Sequence, residues 1–354
     1  MKPLLVSKLI CPSGVWCLFL FILSAPAMSM EAKVKEEAFY NQEFPTASVS
    51  GKIVFQSNRD GAFGEIWILE NGNIRKILSG RKTVGNLSKG HLAILGEALA
   101  DFRNPKWSPD GSKILFARED GFLIFDKDGL LLRKVKPSDS PKDAVWASDG
   151  NSIYFSKIDK SPQGGGTNNI YLFNLKNHSE KQITNLDPLP GIRSIMSFVV
   201  SPDDKKIAFT MDGEDEYGIS IWTINTDGTD LKWAIKYAIE PAWSPDGTKI
   251  AYVSRNLPSG EKAGEYLDVY FLDVTTGKTT RVTNNQWEEH CPVFSPDGKQ
   301  IAYKSARHIQ RVYGAELFVI NIDGTGEARL TSPQKHPSDP VHGWVTDLNP
   351  DWHA

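Results

Sequence analysis

Apolar positions along this chain gather in runs of about six residues, too short for helices, and five of these runs are near copies of one another. They read KILFAR (113–118), SIYFSK (152–157), KIAFTM (206–211), KIAYVS (249–254) and QIAYKS (300–305). Each follows one turn phrase: Ser108-Pro109-Asp110-Gly111, Ala147-Ser148-Asp149-Gly150, Ser201-Pro202-Asp203-Asp204, Ser244-Pro245-Asp246-Gly247 and Ser295-Pro296-Asp297-Gly298. An apolar residue precedes each phrase: Trp107, Trp146, Val200, Trp243 and Phe294. Proline presets φ for a type I turn, and glycine accepts the positive φ that closes a hairpin. A second turn recurs at Asp128-Gly129, Asp227-Gly228, Thr276-Gly277 and Asp323-Gly324. One unit therefore reads strand, tight turn, strand, loop, strand, tight turn, strand, over roughly 40–55 residues.

Four antiparallel strands repeated at this period predict an all-β fold, a β-propeller of four-stranded blades. A sandwich would not place one turn phrase at one position in every unit. The two ends of the chain set the blade number. GKIVFQSN (51–58) is a second strand without its first, and Asn349-Pro350-Asp351-Trp352 is a first strand with nothing after it. Together they make a composite blade, so five complete units and one composite predict six blades and a ring without free edges.

The phrases PKWSPDGSKILF, PAWSPDGTKIAY and PVFSPDGKQIAY, with INTDGT and INIDGT, resemble the WD-repeat-like propeller at the C-terminus of TolB. The resemblance runs from about residue 50 to the C-terminus and implies the propeller fold. It also implies an envelope setting with a protein or peptide partner. TolB carries an α/β domain before its propeller, and that domain has no counterpart in the expected layout. Related blades also occur in scaffolds, peptidase gating domains and some polysaccharide lyases.

Residues 1–27 read as a secretory signal. Lys2 and Lys8 give the positive start, Val15 to Leu23 is an apolar core short of a membrane span, and Ala25-Pro26-Ala27 is a small-x-small cleavage site. Residues 28–50 read as a charged leader and 51–354 as the propeller. The expected location is periplasmic or secreted, with membrane contact only through the export signal. Cleavage near Ala27 leaves Cys291 as the one cysteine, so no internal disulfide is expected. A formal charge of −3 with no Lys/Arg block makes nucleic acid an unexpected partner.

Propeller topology sorts the loops by face. One face carries only the tight turns; the other carries nearly every long connection, including the insertions 79–103 and 332–348. The first of these contains a helix-like stretch, HLAILGEALADF. Binding residues concentrate on loops held by a rigid scaffold, so the expected working surface is the channel mouth on the long-loop face. Its candidates are Arg103, Asn104, Asp143, Glu240, Trp287, Glu289, His290, His342, Trp344 and Asp347, a mixed and net acidic rim. Trp107, Trp146, Trp243 and Trp352 share one repeat position and are expected in the core.

No cofactor, metal or catalytic residue is expected. Asp126 to Gly129 lacks the ligand series of a calcium loop, Gly164-Gly165-Gly166 lacks the Lys-Ser/Thr of a phosphate loop, and no Gly-x-Ser-x-Gly elbow is present. His290-Cys291 has the residue types of a base and a nucleophile but no third orienting group in sequence. The leading expectation is a non-enzymatic propeller that binds an envelope protein or peptide. The alternative is a lyase-like, carbohydrate-active enzyme, with His290, His336 and His342 converging in the channel opposite Arg103 or Lys142.

Overall fold

In the computed structural model the described residues are 47–60, 64–79, 104–160, 166–186, 192–213, 218–255, 266–307, 315–332 and 347–354. Short backbone strands are also described at 9–10, 16–17, 335–336 and 339–344. The stretch HLAILGEALADF and Arg103 lie outside them. Six four-stranded antiparallel sheets form the blades of a β-propeller. Blade 1 runs Asp347–His353, Lys52–Ser57, Glu65–Glu70, Asn73–Leu78. Blade 2 runs from Lys106–Trp107 to Leu131–Val135, blade 3 from Asp143–Trp146 to Glu180–Gln182, and blade 4 from Ile192–Val200 to Lys232–Lys236. Blade 5 runs from Ala238–Trp243 to Thr279–Arg281 and blade 6 from Glu289–Phe294 to Ala328–Arg329.

The composite blade closes as the sequence predicts. Trp352 pairs with Ile53 and Asp351 with Val54. The Trp352 indole N–H donates to Ser50 O at 2.8 Å, and Asp351 Oδ2 accepts the Trp107 N–H at 2.7 Å. First strands of successive blades touch in an unbroken cycle, from blade 1 through blade 6 and back. They therefore line the central axis.

The second strands explain their own sequence. Ile53-Val54-Phe55, Ile114-Leu115-Phe116 and Ile207-Ala208-Phe209 are fully buried on both faces, because each blade is sandwiched between two others. Burial on both sides calls for a continuous apolar run rather than alternation. The turn phrase is a self-contained unit. Ser244 Oγ donates to Asp246 Oδ1 at 2.6 Å and accepts the Lys249 N–H at 2.9 Å. The Ser244 hydroxyl and the Thr248 N–H hold the Asp246 carboxyl down at about 2. In blade 4, where aspartate replaces glycine, Asp204 takes the left-handed conformation itself (φ 53°). Its carboxylate then accepts two hydrogen bonds from Ser148 of blade 3.

Trp107, Trp146 and Trp352 are buried, as expected of their repeat position. Trp243 is only partly buried.

Candidate functional site at the channel mouth

The residue three places before Trp107, Trp146, Val200, Trp243, Phe294 and Trp352 is the same structural position six times over: Asn104, Asp143, Ser197, Glu240, Cys291 and Asn349. Four of them carry positive φ, at 49°, 58°, 51° and 50° for Asn104, Glu240, Cys291 and Asn349. Each of the four precedes a proline, and in blades 5, 6 and 1 a register shift falls on this spot. The proline has no N–H to give the ladder, and the residue before it is disfavoured in the ordinary helical region. The chain answers with a left-handed bulge whose side chains reach the neighbouring blades. A left-handed non-glycine residue costs roughly 1 kcal/mol or more.

These side chains link neighbouring blades. Asn104 Nδ2 donates to Asp143 Oδ1 at 3.4 Å. Ser197 Oγ lies 3.1 Å from Thr210 Oγ1, which accepts the Glu240 N–H at 3.1 Å. Glu240 reaches into blade 6: Oε2 accepts the Cys291 N–H at 2.6 Å and Oε1 lies 3.3 Å from His290 Nδ1. Cys291 Sγ donates to Asn349 Oδ1 at 3.3 Å. Asn349 Nδ2 is buried and finds no acceptor among the described residues. Burial pushes the Asp143 carboxyl up, against the pull of Lys106 and Asn104. Burial also opposes the Glu240 charge, yet His290, the Cys291 N–H and Lys304 together hold its carboxyl below the usual range.

His290 and Cys291 are thus turned to different partners, the imidazole to Glu240 and the thiol to Asn349. Trp287 is partly buried on the same rim. Beside it Glu288 pairs with Arg255 at 2.7 Å. Among the described residues, no three His, Cys, Asp or Glu side chains are grouped to hold a metal ion. The side chains of His336, His342 and Trp344 lie outside the described residues.

Glu289 and Asp347 sit lower than a rim would place them, both 0% exposed. They occupy the same position in blades 6 and 1, and each is met by an arginine that sequence reasoning missed. Asp347 Oδ1 accepts from Ser57 Oγ at 2.6 Å and from Arg59 Nε at 3.1 Å. Arg307 lies 3.5 Å from Glu289 Oε1 and donates to Glu327 Oε2 at 2.6 Å, to Ser305 Oγ and to the Tyr303 hydroxyl. Glu316 makes an ion pair with Arg329 at 3.0 Å. The signal was present: Ser57-Asn58-Arg59 and Ser305-Ala306-Arg307 repeat one spacing after the second strand.

Burial raises the Glu289 carboxyl to about 8 and the Glu316 carboxyl to about 7, against the pull of Arg307 and Arg329 respectively. Glu289 Oε2 has no hydrogen-bond partner among the described residues. Because these folded-state values stand above the unfolded value of about 4.3, the folded state binds more protons between roughly pH 4.3 and 8. Stability from these two groups is full below that window and is lost as pH rises through it, by up to about 1.4 kcal/mol per pH unit for each group. Thermal melts from pH 5 to 9 should show a falling midpoint, and Glu289→Gln should flatten the decline. A midpoint that rises from pH 5 to 8 would contradict this reading.

No family model matches the chain. Over 91 residues it is 34% identical to the Tol-Pal system protein TolB of Francisella tularensis subsp. mediasiatica, covering 26% of this chain and 19% of that protein. The chain thus spans about a fifth of the length of the curated relative it matches. The solved structure of TolB from Acinetobacter baumannii superposes with a TM-score of 0.60 at 20% identity, covering 90% of this chain and 71% of that one. An oligogalacturonate lyase in complex with manganese superposes at 0.55 with 16% identity, covering 88% of each chain. The propeller is TolB-like in sequence phrase and in fold.

Proposed function

We propose that this chain is an exported, non-enzymatic propeller that binds an envelope protein or peptide at its channel mouth on the long-loop face. The observation that carries the reading is the ring of left-handed Asn104, Glu240, Cys291 and Asn349. Strain of this kind persists where surrounding structure enforces it, and it clusters at functional sites. Here amides, a carboxylate and a thiol at one repeat position bridge neighbouring blades around the axis. Trp287 on the rim supplies the aromatic anchor that protein interfaces favour. Similarity to a protein of the Tol-Pal system supports a partner of the same kind. Residues 1–27 supply the export signal in this reading, with cleavage near Ala27 and a periplasmic or secreted destination.

The lyase-like alternative draws on a fold likeness alone. Of its three histidines, only His290 belongs to the described side chains, and it faces Glu240 at 3.3 Å.

A photo-crosslinking residue at Trp287 tests the proposal in cells that express the exported chain. It should trap a discrete envelope protein, whereas the same residue at Leu132, exposed on the outer strand of blade 2, should trap none. Equal trapping at both positions, or none at either, would count against it.

A further inference from the structure

Where the chain closes on itself, blades 6 and 1 meet through a layer of buried charge. Three carboxylates stand in it with side chains at most 5% exposed: Glu289 on the first strand of blade 6, Glu316 on its third, and Asp347 on the first strand of blade 1. A fourth, Glu327, lies at the edge of the layer. Three guanidinium groups answer them: Arg59 for Asp347, Arg307 for Glu289 and Glu327, and Arg329 for Glu316. Among the described residues, four carboxylates thus share three cations. Glu288 and His290, the chain neighbours of Glu289, face Arg255 and Glu240 instead. The Tyr303 hydroxyl contacts Arg307 and Glu327.

Geometry singles out Glu289 as the carboxyl in excess. Arg307 stays 3.5 Å from Glu289 Oε1 and meets Glu327 with two nitrogens. Asn285 Nδ2 at 2.8 Å and Ser305 Oγ at 3.3 Å also address Glu289 Oε1. Oε2 is buried and receives no hydrogen bond from the described residues. An ionised carboxylate asks for donors on both oxygens. A buried group that lacks them keeps its proton, because the bare charge costs more than the neutral acid.

The strand beside this layer is the one least secured by its own chain. No hairpin joins Asp347–His353 to its partner Lys52–Ser57; Ser57 and Asp347 are 290 residues apart. Its ladder is interrupted between Leu348 and Asp351. The end nearest the layer is held by Arg59, by Ser57 and by the Asp347 N–H, which donates to Ala315 O at 2.9 Å. Two residues on, Asn349 accepts from the Cys291 thiol, so the same strand end bridges blades 6 and 1 at the mouth.

We infer that this layer is a pH-operated latch. With a proton on Glu289 it clamps Asp347–His353 into the ring; loss of that proton releases this strand while the other five blades keep their ladders. Ionising Glu289 puts a further negative charge into a layer whose cations are already matched. In an opened seam the carboxylate meets water and returns to the ordinary carboxylate range, so opening releases a proton and rising pH drives it. Burial lifts the closed-state value to about 8, above the ordinary value of about 4.3. The closed form is therefore at full strength in acid and weakens as pH rises through that window.

Native-state hydrogen exchange of the purified chain, corrected for intrinsic rates, tests this. Between pH 6 and 8 the protection of Asp347–His353 should fall by about 50-fold, inside the 100-fold limit that one proton sets over two pH units. Ala238–Trp243, the matching first strand of blade 5, should change by less than about 3-fold. Glu289→Gln keeps the shape of the neutral acid and should hold the protection of Asp347–His353 constant over the same range. Glu288→Gln, one residue away, should keep the parent response. The two parent strands decide the matter without any variant. Equal protection of Asp347–His353 at pH 6 and 8, a loss in step with Ala238–Trp243, or the parent response in Glu289→Gln would each overturn the latch.

Discussion

A chain lacking residues 347–354 will not fold cooperatively. The segment supplies the innermost strand of blade 1 and carries three separate ties. Asp347 is buried against Arg59 and Ser57. Trp352 is buried and bonded to Ser50. Asp351 holds the start of blade 2 through Trp107 and lies 3.6 Å from Lys106. Leaving Arg59 buried without its partner costs about 3–5 kcal/mol, and losing the tryptophan costs about 3–5 kcal/mol more. Their sum approaches the whole stability of an ordinary domain, about 5–15 kcal/mol. The loss also uncovers Ile53, Val54 and Phe55 on an open edge, which invites association between chains. Circular dichroism melts and size exclusion should show no sigmoidal transition and early-eluting aggregate. A truncated chain that melts within a few degrees of the full one would refute the closure.

Arg307→Ala should destabilise the protein by about 3–5 kcal/mol, the usual cost of orphaning a buried ion pair. Arg307 is 4% exposed and serves several groups at once: Glu289, Glu327, Ser305 and Tyr303. It also stacks 4.3 Å from the Phe318 ring. Arg307→Lys should recover only part of the loss, because an ammonium cannot reproduce the planar fork that meets Glu327 with two nitrogens. Glu327→Gln on the Ala background should return some stability, since the Glu327 carboxylate, which Arg307 helps hold below the usual range, is left without that partner. Urea denaturation gives these values directly, and a cost under about 1 kcal/mol for Arg307→Ala would mean that water already reaches the cluster.

How much of this was legible in the chain depends on whether the information was local. The turn phrase encodes its own hairpin through Ser, Pro, Asp and Gly, so blade number and strand order could be read before any contact was known. The composite blade was legible too, because Asn349-Pro350-Asp351-Trp352 copies Asn104-Pro105-Lys106-Trp107. The ring at the mouth was half legible. Its members were picked out by position, yet their left-handed conformation follows from proline and register together, which no single residue announces. Glu289 and Asp347 were placed on the rim because a carboxylate at a loop end is usually solvated. Their burial depends on arginines, one of which, Arg59, lies 288 residues from its partner in sequence. Trp243 carries the same phrase as Trp107, Trp146 and Trp352, yet it is only partly buried, which the phrase itself does not signal. Residues 80–103 lie outside the described residues, and within 332–348 these include the short backbone strands Lys335–His336 and Asp339–Trp344.

The most direct test of binding at the mouth compares two variants in quantitative capture from envelope extract. One carries Trp287→Ala, Lys142→Ala and Asp143→Asn on the rim; the other carries Leu130→Ala and Leu132→Ala on the exposed side of blade 2. Both should keep the parent melting midpoint within a few degrees. The rim variant should recover about 10-fold less of the captured partner than the parent, while the blade 2 variant recovers as much. Undiminished capture by the rim variant, or an equal loss in both, would contradict the account.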